Sequence, residues 1–476
     1  MHSARFTTLV SIVALLGACG GGGGGNSGGS APPITVAPTP TPTQTTAGCS
    51  LRERQDWAAT QLREWYLFPE LLPGALDPSA YSTVGAYIDA LTATARAQSK
   101  DRFFTYLTSI AQENAFYNSG SSAGFGIRLS YDSGASRLFV AEAFEGAPAL
   151  AAGIDRGTEI LAIGTSATTM RTVASIFAAE GSAGVSAALG ASDAGVVRVL
   201  RITSGGTERD VTVTKADFEI SPVSPRYGAK VIVDGARKVG YLNLRTFIST
   251  ADPQLRTAFD SFRSQGITEV IVDFRYNGGG LVAIADLMGN LMGAGRTNSV
   301  FSYTSFRPEK ASRNSITYFT PVSQSIAPLK IAFIGTGGTA SASELVINSF
   351  TPYLRTNSAL VGSNTYGKPV GQVALDRSQC DDRLRVVAFK TENANRQGDY
   401  YTGLASKVEA SCQAADDLQR PLGDPAEASV KGALDFLGGR VCTPIATGQT
   451  TQAVRGRALL QSAQPDTAER EVPGLH

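Results

Sequence analysis

Apolar residues along this chain follow two different periods. The runs at 239–244 (VGYLNL), 269–273 (EVIVD) and 330–334 (KIAFI) are almost uninterrupted, the pattern of strands covered on both faces. Between the first two, 251–265 carries apolar residues at helical spacing, and a further helix is predicted from Leu345 onward. Strand, helix, strand, turn, helix is the signature of an α/β domain with a parallel sheet. The stretch 118–216 reads differently. Short alternating runs at 127–129 and 138–141, a short helix bounded by Gly146, Gly153 and Gly157, and the run 160–163 predict a β-rich unit. Ahead of it, 50–115 shows amphipathic stripes through Leu51, Trp57, Leu62, Trp65 and Leu67, and through Tyr87, Ile88 and Leu91. Pro69, Pro73 and Pro78 cut this region into short helices. Beyond residue 368, the runs 372–375 and 384–390 predict two strands that pair.

The two ends follow neither period. Arg5 precedes an apolar run from Phe6 to Leu16 that ends in Leu16-Gly17-Ala18-Cys19. The run is too short to span a bilayer and reads as a secretory signal. The small residues before Cys19 resemble a bacterial lipobox, which makes Cys19 the lipidated first residue of the mature chain, and Gly20 after it leans toward outer-membrane sorting. Residues 19–48 are mostly Gly, Ser, Pro and Thr and read as a flexible tether. Residues 443–476 are polar and aperiodic and are expected to be a disordered tail.

Charge narrows the function. The 476 residues carry a formal net charge of +1, which gives no electrostatic case for nucleic acid or an acidic surface as partner. Beyond Cys19 there are four cysteines, Cys49, Cys380, Cys412 and Cys442. An even number in an exported chain predicts two disulfides. The bracketing of one segment favours Cys380 with Cys412, and the flanking of the folded region favours Cys49 with Cys442. No C-x-x-C pair is present to suggest a metal site.

Candidate chemistry gathers at 337–372. The run 330–334 leads into Gly337-Gly338-Thr339-Ala340-Ser341-Ala342-Ser343-Glu344 and then a helix. Ser341 and Ser343 therefore lie where a strand turns into a helix, with N–H groups and the helix dipole favouring developing negative charge. Ser341-Ala342-Ser343-Glu344 also fits a capping box with no catalytic role. The only histidines are His2 and His476, one in the signal segment and one at the end of the polar tail. A Ser-His-Asp triad and a multi-histidine zinc site thus lack their imidazoles, and lysine becomes the candidate base. Lys368 follows in Tyr366-Gly367-Lys368-Pro369, with Gln372 four residues on. No carboxylate lies within four residues of Lys368, which suits a neutral amine. Burial by Tyr366, Val370 and Val373 would lower its pKa from ~10.4.

The motif around Ser341, the Thr365-Tyr366-Gly367-Lys368 and Gln372 segment, and Val272-Asp273-Phe274-Arg275-Tyr276-Asn277-Gly278-Gly279-Gly280 upstream resemble, in that order, the C-terminal processing peptidases, peptidase family S41. The resemblance covers roughly residues 50–436. It implies a crotonase/ClpP-like α/β catalytic domain at 217–442 and an N-terminal helical cap at 49–117. The unit at 118–216, inserted in or preceding the catalytic domain, resembles a PDZ domain, with Gly124-Phe125-Gly126-Ile127 as its carboxylate-binding loop. Signal peptide (1–18), tether (19–48) and tail (443–476) complete the division.

By the same resemblance the chain is a serine endopeptidase without cofactor or metal. Ser341 is the nucleophile, Lys368 the base and Gln372 its orienting partner. The N–H groups of Ala342 and Gly279 (or Gly280 in its place) form the oxyanion site, and Arg275 is a structural ion-pair partner. Substrates would be exported proteins or peptides with apolar C-termini held by the PDZ-like unit. The enzyme would be lipid-anchored in the bacterial cell envelope and face the periplasm. Three other readings stand beside this one. They are an inactive peptide-binding lipoprotein, a crotonase-type acyl-CoA enzyme, and a structural lipoprotein.

Overall fold

The computed structural model describes residues 46–446 and 457–476. The signal segment, Cys19, residues 19–45 of the tether and residues 447–456 of the tail lie outside the described residues, and among the described residues no helix is long and apolar enough to cross a membrane.

A six-stranded sheet forms the centre. Its strands Ala229–Asp234, Arg237–Asn243, Glu269–Asp273, Lys330–Gly335, Ser358–Gly362 and Ala410–Gln413 lie side by side in chain order. Only the first pair is antiparallel; the rest are parallel. Alternation explains the uninterrupted apolar runs, since successive side chains point to opposite faces. Ile331 and Phe333 pack with the helices Ala251–Ser264, Val282–Leu291 and Ala342–Leu354 on one face. Ala332 and Ile334 pack with Ala428–Leu437 on the other.

The predicted pair after Lys368 forms as Val370–Arg377 and Asp382–Glu392, antiparallel. Asp382–Glu392 also pairs with Tyr106–Ser109 and with Val300–Phe306. The N-terminal region is therefore not purely helical. The helices Leu51–Trp65 and Val84–Leu91 pack on this second sheet through Leu62, Tyr66, Ile88, Leu384 and Val386, while Tyr106–Ser109 joins it as a strand. Four residues carry too short an alternation to be read as a strand, and their partner lies far along the chain.

The β-rich unit contains the strands Ile127–Asp132, Arg137–Ala143, Glu159–Gly164, Val197–Ser204 and Thr207–Thr214, packed on the helix Val173–Leu189. That helix was not anticipated. Gly181 interrupts it at φ 67°, and its alanine-rich sequence lacks a polar face to mark the period.

Two expectations fail. The disulfides are Cys49–Cys380 and Cys412–Cys442, with Cα separations of 5.5 and 5.3 Å. Bracketing was a poor guide because Cys380 closes the hairpin on the second sheet, beside the first helix, whereas Cys412 lies in the edge strand of the central sheet. The tail, where it is described, is ordered. Residues 457–476 contain the strand Ala458–Leu459 and the helix Thr467–Glu471, and bury Leu460, Ala468, Val472, Leu475 and His476. The signals were Asp466-x-x-Glu469, a capping box, and the apolar Val472 and Leu475 after it. His476 is 3% exposed rather than solvated, yet its ring nitrogen meets only Leu460 O, at 3.3 Å.

Candidate active site

The turn between Lys330–Gly335 and Ala342–Leu354 is fixed by Thr339. Its N–H donates to Thr336 O, its hydroxyl to Phe274 O, and its carbonyl accepts from Tyr366 N–H at 2.9 Å. Ser341 then stands at the mouth of the helix with φ 56° and ψ −114°. A non-glycine residue held there marks a strained strand-to-helix elbow of the kind that presents a nucleophile. Gly279 faces it, and a Cβ on Gly279 would come within 2.7 Å of Ser341 Cβ. Ser343 is fully buried and donates its hydroxyl to Asn277 O at 3.2 Å. Of the two serines only Ser341 keeps any exposure.

Glu344 binds this elbow to the lysine loop. The carboxylate is fully buried and accepts Gly367 N–H at 2.7 Å, Lys368 N–H at 2.7 Å and Ser341 N–H at 3.1 Å. The last two converge on one oxygen, so a single atom holds the backbone nitrogens of Ser341 and Lys368 together. Burial pushes the Glu344 pKa up, against the pull of these donors. Sequence reasoning saw Glu344 only as a helix cap, and the capping box was the available signal.

Lys368 Nζ donates to Gln372 Oε1 at 3.1 Å and lies 5.0 Å from the centre of the Phe104 ring. Gln372 Nε2 donates to Phe104 O, which orients the amide. Phe104, Tyr366, Val370 and Val373 share one apolar cluster. Burial lowers the Lys368 pKa, and the carboxylate of Glu471 opposes that shift. No hydrogen bond joins Lys368 Nζ to Ser341 Oγ. Arg102 holds the loop from outside, donating to the carbonyls of Tyr366 and Gly367 at 2.5 and 2.8 Å. Phe104 and Arg102 carried no sequence signal, since their contact with the lysine loop spans over 260 residues of chain.

The expected oxyanion donors need one correction. Gly279 N–H is already committed to Asn277 Oδ1 at 2.9 Å. Asn277 in turn donates to Leu244 O at 2.8 Å, so its side chain is fixed. Gly278 instead lines the cleft, and its N–H donates to Glu471 O at 3.0 Å. Ala342 N–H, the first amide of the helix, has no acceptor among the described residues. Arg275 is structural, as its place in the motif suggested. It is buried and pairs with Asp273 at 2.8 Å and Glu427 at 2.9 Å across the sheet end.

The loop Gly124-Phe125-Gly126-Ile127 lies apart from this elbow, at the start of the Ile127–Asp132 strand. Gly126 N–H and Ile127 N–H both donate to His476 O, at 3.0 and 3.2 Å. A cavity of about 510 Å³ is bordered by Arg102, Phe104, Gly278, Gly338 and Lys368 together with residues of the 461–473 stretch, and by none of this loop. No group of three or more His, Cys, Asp or Glu suited to a metal ion occurs among the described residues.

Residues 238–400 match the profile of peptidase family S41. The chain is 27% identical over 276 residues to a chloroplastic C-terminal processing peptidase of Tetradesmus obliquus, covering 54% of each chain. It is 25% identical over 334 residues to a carboxyl-terminal-processing protease of Synechocystis sp., covering 68% of this chain and 70% of that one. The chain thus spans about half the length of the first of these relatives and some two thirds of the second. The crystal structure of an S41-protease candidate from Bacteroides fragilis superposes with a TM-score of 0.63 at 23% identity, over 80% of this chain and 97% of that one, a likeness of fold. The matched region holds all three of the ordered motifs, so that residues 238–400 are similar in sequence to peptidase family S41.

Proposed function

We propose that the chain is a serine endopeptidase working through a Ser341/Lys368 dyad on protein or peptide substrates. The observation that carries this reading is Glu344, whose one carboxylate oxygen ties the strained Ser341 elbow to the Lys368 loop. Neutral Lys368 takes the proton of Ser341 Oγ as that oxygen attacks the scissile carbonyl carbon. It returns the proton to the departing amine, leaving an acyl-enzyme that water hydrolyses by the same route in reverse. Gln372 holds the amine through its side-chain carbonyl. Ala342 N–H, with Gly278 N–H in place of Gly279, receives the developing oxyanion. Relatives named as carboxyl-terminal-processing proteases support protein substrates.

The PDZ-like unit would engage substrate C-termini by adding them as a strand beside Ile127–Asp132. The two N–H groups of Gly126 and Ile127 converging on one oxygen support that role. Two disulfides suit an oxidising compartment, in line with an exported enzyme anchored through Cys19 in the envelope and facing the periplasm.

Unstructured peptides ending in apolar residues, incubated with the protein and followed by mass, test the dyad. Cleavage should fall by about 10³-fold or more in Ser341→Ala and in Lys368→Ala, and persist in Ser343→Ala provided the variant folds. Peptides bound but never cut by the wild type, at any pH up to about 10, where a lysine lowered by burial has lost its proton, would favour the inactive peptide-binding reading.

A further inference from the structure

Residues 467–476 run through both halves of the site just described. Residues 474–476 lie antiparallel along Ile127–Asp132. Leu129 N–H donates to Gly474 O at 2.8 Å, His476 N–H to Ile127 O at 2.9 Å, and the Gly126 and Ile127 amides to His476 O. This is a peptide strand added at the edge where the carboxylate-binding loop was read. Five residues upstream, Glu471 O accepts the Gly278 N–H at the oxyanion turn. A Cβ on Gly278 would approach Arg470 O and Glu471 O to 2.5 and 3.0 Å, so the segment lies directly on that turn. Buried Arg128 donates to Tyr276 O at 3.0 Å and Pro473 O at 2.6 Å, clamping the stretch between the two contacts. Further contacts come from the N-terminal region. Tyr117 donates to the Glu471 carboxylate at 3.0 Å, and the Arg470 guanidinium donates to Phe103 O at 3.1 Å and stacks on Tyr106. Val472 and Leu475 are buried.

We propose that this segment is a tethered ligand of the enzyme's own peptide groove and cleft, and that docked it keeps substrate out. The inference rests on the peptide-cleaving reading above. Every hydrogen bond from Ile127–Asp132, Gly126 and Arg128 to residues 473–476 goes to their backbone, so a peptide strand of similar length can replace the segment. A tether raises its effective concentration to the order of mM, which an external peptide must overcome. Glu471 acts in the same direction, since a carboxylate near Lys368 favours the ammonium over the free base.

The experiment compares the full-length protein, the protein ending at residue 456, and a full-length Val472→Asp/Leu475→Asp variant that leaves the catalytic residues in place. Folding of each is checked by circular dichroism. Two readouts are taken. One is fluorescence anisotropy with a labelled synthetic peptide of residues 467–476, and the other is cleavage of unrelated unstructured peptides. The proposal expects the shortened protein and the double variant to bind the labelled peptide at least about tenfold more tightly than the full-length protein. It also expects them to cleave faster by a similar factor, with the peptide inhibiting cleavage. Equal binding and equal cleavage by folded shortened and full-length proteins would overturn it, and so would no peptide binding by a folded shortened protein. Tight binding by the shortened protein with no cleavage by any form would uphold the tethered ligand and refute the peptidase reading instead.

Discussion

Lys368 is asked to be uncharged at a pH where a free lysine is not. The apolar cluster of Phe104, Tyr366, Val370 and Val373 disfavours the ammonium, and Gln372 offers it a neutral acceptor rather than a carboxylate. The sign follows directly. In the proposed dyad the basic form is the competent one, so kcat/KM should rise with pH along a limb centred below the ordinary lysine value of 10.5. Replacing Glu471 with Gln removes only the carboxylate that supports the charged form, so in that variant the limb should move lower still. A pH profile of both proteins checks this, and a limb near 10.5 in each would contradict the burial account. At this scale the sequence picked out residues that the structure brings close together. Motif order singled out Ser341, Lys368 and Gln372; Lys368 Nζ does meet Gln372 Oε1, and Ser343, the serine not chosen, is sealed under Asn277 O. Gly278 against Gly279 was not legible, because which amide faces the cleft depends on the Asn277 side chain taking the other one.

Elements meet at Glu344. The helix Ala342–Leu354 and the loop before Val370–Arg377 are distant in sequence, and the buried carboxylate fixes their separation through three N–H donors. Replacing Glu344 with Gln removes the charge and turns an amide NH2 toward backbone donors. Stability should fall by about 1–3 kcal/mol, the cost of unsatisfied buried donors. Because the dyad geometry loosens, kcat should fall about 10²-fold while KM changes little. Thermal unfolding and steady-state kinetics measure the two effects, and an unchanged kcat would show that the elbow holds itself. The same scale shows where pattern reading ran out. Buried strands such as Lys330–Gly335 announced themselves because both their faces are apolar. Tyr106–Ser109 did not, since its strand character comes from pairing with Asp382–Glu392. The disulfides were mispaired for the same reason, as spacing along the chain says nothing of which sheet a cysteine joins.

Across the whole molecule, ion pairs and the tail connect parts that sequence reading kept separate. Arg156 of the β-rich unit reaches Asp416 at 2.8 Å, which Arg275 of the central sheet also contacts. Buried Arg245 reaches Glu142 at 2.7 Å, which also pairs with Arg128. The strand Ile127–Asp132 and the turn at 276–280 are thereby held in one frame, which Arg128 completes by donating to Tyr276 O, and residues 467–476 thread through it. Composition alone made that segment look like a solvated tail, because its ordering contacts are backbone hydrogen bonds to other elements. What all of this serves is one claim, that Ser341 is a nucleophile activated by Lys368. The most direct measurement is covalent capture, in which the protein ending at residue 456 is treated with a serine-reactive peptidyl phosphonate and the adduct is mapped by mass. The account predicts one adduct, on Ser341, lost in Lys368→Ala and retained in Ser343→Ala. An adduct on Ser343, or undiminished labelling of Ser341 without Lys368, would contradict it.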